Sequence, residues 1–170
     1  LASWPTYNKE KVNVKAEESE DLIKSVLEDT LNIIKATKIA PQKICYYVAA
    51  PWKWKIYLKS LEKSIPARID LSNLMKELMT EPDLKRMAEK VTKFTLQIID
   101  EINRMSEAEK RRQLQVGFMD ENQTLKEAES FFERDFNTKV FVYHEEDPKC
   151  YDPKKRAGLS RPYRPAIYIE

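Results

Sequence analysis

The sequence predicts an α+β fold, a small sheet of about three strands packed against several α-helices. Three observations carry this. Runs of β-branched and aromatic residues at Ile44–Ala49, Val140–Tyr143 and Ala166–Ile169 have the length and composition of strands. Apolar residues at helical spacing mark at least five further segments, so the strands are separated by runs of helix. The chain has 170 residues, 42% of them hydrophobic and 34% charged, which is enough for a real core in one domain, or in one domain plus part of another.

The elements follow in order. Leu1–Val14 contains Trp4-Pro5 in a polar stretch without a period and reads as a tail or linker, which leaves 15–170 as the domain. From about Lys15 a helix is signalled by Leu22/Ile23, Val26/Leu27, Leu31 and Ile33/Ile34. Its acidic start (Glu17, Glu18, Glu20, Asp21) and basic end (Lys35, Lys38) suit the helix dipole. Pro41 blocks continuation, and the first strand follows. Pro51 then pre-sets a helical turn in which its missing N–H costs nothing. Over Trp52–Lys63, Trp54, Tyr57, Leu58 and Leu61 form a core face, while Trp52, Lys55, Lys59 and Lys63 line up on another. Leu71–Leu78 predicts a short helix with Asp70 near its start. Glu81-Pro82 opens a longer one, with an apolar stripe from Leu84 to Ile102. Ser106–Leu114 is a short charged helix, and Gly117 with Asp120-Glu121-Asn122 marks a turn. Leu125, Ala128, Phe131 and Phe132 give a last helix, ending near Asn137, which tolerates a left-handed cap. Beyond the second strand, Glu145–Pro165 is a loop holding Pro148, Pro153, Pro162 and Pro165, and loops of that length are commonly functional or disordered.

Charge is segregated along the chain. Lys38–Arg68 carries seven basic residues against Glu62, and Lys149–Arg164 carries six against Asp152, so everything else carries a net −9 although the whole sums to +2. Such segregation speaks to partners rather than to fold. An aromatic with ammonium groups below it, as at Trp52, Lys55, Lys59 and Lys63, suits a polyanion with π-faces. A solvated flank whose lysine stems cover apolar surface has the same pattern. In the second segment, Tyr151, Lys154, Lys155, Arg156, Arg161, Tyr163, Arg164 and Tyr168 combine phosphate-forking arginines with tyrosines able to stack on unpaired bases. The alternation Ala166/Tyr168 against Ile167/Ile169 equally fits a core strand.

Little else carries chemistry. His144 is the only histidine and has no cysteine cluster near it in sequence, so no zinc site is expected. Cys45 reads as core, and two cysteines make no disulfide framework, which favours a reducing, cytoplasmic setting. No apolar run spans a membrane. Two glycines are scant material for a backbone-lined nucleotide cradle. No nucleophile–base–orienter set is present, so the chain is expected to lack a catalytic site of its own.

The helix EESEDLIKSVLEDTLNIIK followed by KICYYVAAPWKWKIY is similar to the C-terminal region of archaeal-type leucyl-tRNA synthetases, in which an acidic helix leads to a strand and a Tyr-Val-Ala-Pro-x-Trp-Lys-like turn. The end, DPKKRAGLSRPYRPAIYIE, resembles the terminus of the same enzymes. Ser3-Trp4-Pro5 resembles the close of their preceding anticodon-binding domain. The resemblance implies a fragment of a leucine–tRNA ligase whose ATP-site signatures, His-Ile-Gly-His and Lys-Met-Ser-Lys-Ser, are absent here. No cofactor is then expected in this piece, ATP belonging to the full-length enzyme. It further implies that leucine tRNA is the partner, met at its elbow and long variable arm, with no DNA and no membrane involved. Carried across, Tyr163, Arg164, Ile167, Tyr168, Ile169 and Glu170 are the tail contacts, Lys154, Lys155, Arg156 and Arg161 the phosphate contacts, and Trp52 and Lys53 come from the matched turn. Lys55, Lys59 and Lys63 are added from helical spacing alone. The competing reading is a module that docks other translation proteins through its apolar C-terminus or the acidic surfaces of residues 69–148.

Overall fold

The computed structural model describes the backbone of residues 9–170 and the side-chain surroundings from residue 14 onward. The linker and Trp4-Pro5 readings lie outside the described residues as far as residue 8. The elements are α1 (Lys9–Thr37), β1 (Lys43–Val48), α2 (Pro51–Ser64), α3 (Leu71–Leu78), α4 (Pro82–Arg86), α5 (Ala88–Arg104), α6 (Glu107–Val116), α7 (Glu121–Glu127), α8 (Glu129–Phe136), β2 (Lys139–His144) and β3 (Ala166–Ile169), with a 3-10 turn at Ala157–Leu159. This is the α+β architecture that the sequence predicts. Among the described residues no helix is long and apolar enough to cross a membrane.

Local chemistry sets most of the boundaries. Pro51 occupies the first turn of α2. The Asp70 carboxylate accepts from the backbone N–H groups of Ser72 and Asn73 and so opens α3; Ser106 and Asp120 cap α6 and α7 in the same way. Gly117, at φ 67°, ends α6, a conformation that an L side chain adopts only with strain. Asn137, at φ 49°, ends α8 in the left-handed region, as expected. Three expectations are corrected. Helix α1 starts at Lys9 rather than near Lys15. The single helix expected from Glu81 is α4 and α5, broken at Met87 (φ −118°, ψ 36°). The last helix is α7 and α8, broken at Ala128. A one-residue break leaves the apolar spacing intact, and Leu84 and Val91 are both fully buried on either side of Met87.

The sheet has the order β2-β1-β3, with β1 parallel to β2 and antiparallel to β3. A parallel pair needs a long crossover, and α2 to α8 supply it. As the central strand, β1 is covered on both faces, which is why Ile44–Val48 reads as an unbroken apolar run. On the inner face, Ile44, Tyr46, Val48, Val140, Val142 and Ile167 pack with Leu22 and Val26 of α1, Leu125 of α7 and Phe132 of α8. The Tyr46 hydroxyl reaches Thr30 Oγ1 at 2.9 Å, and its ring meets Phe132 edge-on. The register sets three rows on the outer face: Lys139 beside Lys43; Phe141, Cys45 and Tyr168; then Tyr143, Tyr47 and Ala166. A second core lies between α2, α3 and α5, where Ile56, Leu61, Leu74, Ile98 and Ile102 are at most 1% exposed. Each such side chain contributes roughly 1.5–3 kcal/mol relative to exposure. Leu58 and Tyr163 touch both cores and join them.

Candidate nucleic-acid interface

The loop after β2 is held by one buried cation. Lys53, in the first turn of α2, points inward, and its side chain is 5% exposed. Its ammonium donates to Glu145 Oε2 at 2.8 Å, the Gly158 carbonyl at 3.0 Å and the Ser160 carbonyl at 2.7 Å. Three donor directions therefore meet three acceptors, and the buried charge is both paired and saturated. The other oxygen of Glu145 accepts from the Ala50 N–H at 2.7 Å. Burial pushes the Glu145 carboxyl up, against the pull of Lys53 and of that N–H. Lys53, expected as an RNA contact, is a staple that joins α2 to the end of β2 and to the loop.

Past the staple, Arg161-Pro162-Tyr163-Arg164 makes a tight turn closed by Arg161 N–H to Arg164 O at 3.0 Å and Arg164 N–H to Arg161 O at 2.8 Å. Proline second and a positive φ third (Tyr163, 62°) are the pattern of a type II turn. The turn sends Tyr163 inward. Its ring packs on Trp54 and Tyr57, at centroid distances of 5.3 and 6.0 Å, and its N–H donates to Glu121. Tyr163, expected as a tail contact, is therefore packed as an internal aromatic. Glu121 is 2% exposed, its second oxygen has no hydrogen-bond partner among the described residues, and burial pushes its carboxyl up to about 8.

The cations divide into spent and free. Lys55 pairs with Glu81 and Asp83, Lys59 with Glu62 and Glu77, and Lys63 with Glu77. Those exposed pairs are weak and would yield to phosphate, but their carboxylates would stay beside it. Lys55, Lys59 and Lys63, expected as RNA contacts, thus stand among four carboxylates rather than in a purely cationic stripe. Arg161 and Arg164 both turn to Glu101, at 2.8 and 3.8 Å. By contrast Lys154, Lys155 and Arg156 are exposed and make no ion pair among the described residues. So do Lys90 and Lys93 on α5, which the sequence reading missed. Their signal was i, i+3 spacing on the polar face of that helix, hidden by the acidic total of residues 69–148.

Two surface clefts adjoin. One, of about 370 Å³, is lined by Trp52, Lys90, Lys93, Phe94, Gly158 and Leu159 among others. The second, of about 450 Å³, includes Arg156, Leu159, Arg161, Arg164 and the α1 residues Asn32 and Ile33. Leu159, 66% exposed, belongs to both. Folding thus brings Trp52 of the first basic segment and Arg156 of the second onto neighbouring clefts, whereas Lys55 lines neither. The indole of Trp52 is oriented by its N–H to Glu146 at 3.0 Å and by the edge of Phe94 at 5.6 Å.

The tail is strand β3. Ile167 is 8% exposed on the inner face, and Ile169 packs beside it, which places both in the core rather than free to reach out. Tyr168 lies on the outer face, against Tyr151 at 6.3 Å. The Glu170 carboxylate accepts from Lys43 at 2.8 Å, Tyr151 at 2.8 Å and Tyr168 at 3.0 Å, and the bond from Lys43 in particular holds it below the usual carboxylate range.

The geometry defines a class first: a helix-walled mixed sheet carrying a stapled loop with unpaired lysines and arginine. Comparison with known proteins is more specific. Over its whole length the chain matches a region of archaeal leucine–tRNA ligases, and the match covers 100% of this chain. It is 39% identical to the leucine–tRNA ligase of Methanosarcina barkeri, 36% to that of Methanosarcina acetivorans and 33% to that of Pyrococcus abyssi. It spans 17%, 18% and 16% of those relatives' lengths. No family model matches the chain.

Proposed function

We propose that this chain is the non-catalytic, tRNA-binding C-terminal part of a leucyl-tRNA synthetase and that it engages the elbow and long variable arm of leucine tRNA. The observation that carries the reading is a set of exposed cations that make no ion pair among the described residues: Arg156 in one of the clefts that share Leu159, Lys90 and Lys93 in the other, and Lys154 and Lys155 next to Arg156 in the loop. Phosphates supply affinity there and give a log–log salt slope of about −0.7 to −0.9 per neutralised phosphate. They do not supply identity, which comes from the length and shape of the arm and from a few unpaired bases. The relatives of printed name leucine–tRNA ligase support the choice of tRNA.

The test is a gel-shift of the chain against leucine tRNA with and without its variable arm, at two salt concentrations. Tighter binding to the intact tRNA, with a salt slope that flattens in the Lys154→Ala/Lys155→Ala/Arg156→Ala variant, supports the reading. Equal binding to both RNAs with an unchanged slope would sink it.

A further inference from the structure

We propose that the outer face of the sheet, along β2, is a stacking platform for an unpaired base of the bound RNA, with Phe141 and Tyr143 presenting the π-surface. The inference rests on the RNA-binding reading and names a second contact beyond the Leu159 clefts. Helices cover the inner face alone, so the outer face depends on the loop after β2 for cover. That loop covers β1 and β3: the Tyr47 hydroxyl donates to the Tyr151 carbonyl, Tyr151 lies against Tyr168, and Ala157 packs with Cys45 and Tyr47. On β2, Tyr143 is half-buried against the same cluster and Phe141 beyond it is left exposed. Phe141 is 37% exposed, and its ring runs nearly parallel to that of Tyr143, with centroids 6.3 Å apart and planes at 12°. Tyr143 in turn stacks on the buried Tyr47 at 6.2 Å, so the platform has a rigid foot.

An open edge strand is ordinarily blunted with charge, and a phenylalanine on its exposed face invites unwanted association. Here it is retained two residues from Lys139, whose side chain is 75% exposed and pairs with Glu133 at 3.4 Å. A planar π-face beside an exposed ammonium suits a nucleotide, which offers a base to the ring and a phosphate to Lys139 in exchange for its exposed pair with Glu133. An apolar peptide would gain nothing from the flanking charge. The occupant is therefore a single-stranded nucleotide, stacked on Phe141 with its backbone toward Lys139.

Fluorescence anisotropy of the full chain with a labelled ten-nucleotide single-stranded RNA tests this. Phe141→Leu keeps the apolar volume and removes the ring; it is expected to weaken binding about tenfold, within the range for losing one stacked base, with the salt slope unchanged. Phe141→Trp is expected to retain affinity and to show indole quenching when RNA is added. If Phe141→Leu binds like wild type while Lys154→Ala/Lys155→Ala/Arg156→Ala is weakened, the platform is refuted and the RNA reading survives. If wild type does not bind the single-stranded RNA, the platform is refuted, and the gel-shift with leucine tRNA decides the RNA reading separately. A wild-type dimer in sedimentation that Phe141→Leu dissociates would assign the face to a second copy and overturn the proposal.

Discussion

At the scale of single residues, two buried charges decide how the loop is held. Removing one partner of a buried ion pair strands the other, at a cost of about 3–5 kcal/mol, far more than a surface pair loses. Lys53→Met is accordingly expected to lower the unfolding free energy from urea melts by that order. Adding Glu145→Gln, which keeps an acceptor for the Ala50 N–H, should recover part of the loss. Glu121 contributes to the pH response. Its carboxyl has an ordinary value of 4.5 and is pushed to about 8 by burial, so folding takes up a proton between those limits. Its contribution is complete below the lower value and is lost as pH rises through the upper one, on the order of 1.4 kcal/mol per pH unit between them. Glu121→Gln stays neutral and can still accept from the Tyr163 N–H. Thermal melts of this variant between pH 5 and 8 should fall less steeply than wild type; parallel curves would show that the carboxyl ionises freely when folded.

At the scale of elements, caps and breakers were the most legible part of the sequence. Pro51, Asp70, Gly117 and Asn137 each act through their own backbone or side chain and need no tertiary partner, so their roles could be read from local residues. Asp70→Ala is expected to cost about 1 kcal/mol, the usual worth of an N-cap, in denaturant melts. The strands were legible too, because a short apolar run is the same signal whichever neighbour covers it. The site was less so. The lysines of α2 form a stripe in sequence, but α3 and α4 bring Glu77, Glu81 and Asp83 over it, and charge counted by segment does not see a distant carboxylate arrive. Lys53 looked like its exposed neighbours because nothing local distinguishes it; only the return of the loop gives it three acceptors. The inward turn of Tyr163 was written in Pro162 and a left-handed third position, but tyrosine there conceals the turn that glycine would announce.

At the scale of the whole molecule, the C-terminus completes the sheet. Gln42 and Lys43 N–H groups donate to the Glu170 carbonyl at 2.6 and 2.9 Å, and Ile167 fills the inner core. Deleting Ile167–Glu170 is therefore expected to lower the unfolding temperature itself, so any loss of tRNA discrimination in that truncation reads as lost structure. Tyr168→Ala, on the outer face, leaves Ile167 in place and separates the two effects: a stable variant with altered tRNA choice would return Tyr168 to the interface. The strand order has a further consequence. Lys43 pairs with Lys139 on one side and Ile44 with Ile169 on the other, so the middle strand meets both neighbours only from the last part of the chain. On a ribosome it must wait, unpaired and apolar, until β2 and β3 have been made, while the α2–α5 helices can already have condensed. Pairings so distant slow folding. Pulse-labelled amide exchange during refolding should find Tyr46 and Val142 protected together and late, after Ile98, and chaperones would find their target in nascent chains that stop short of β2.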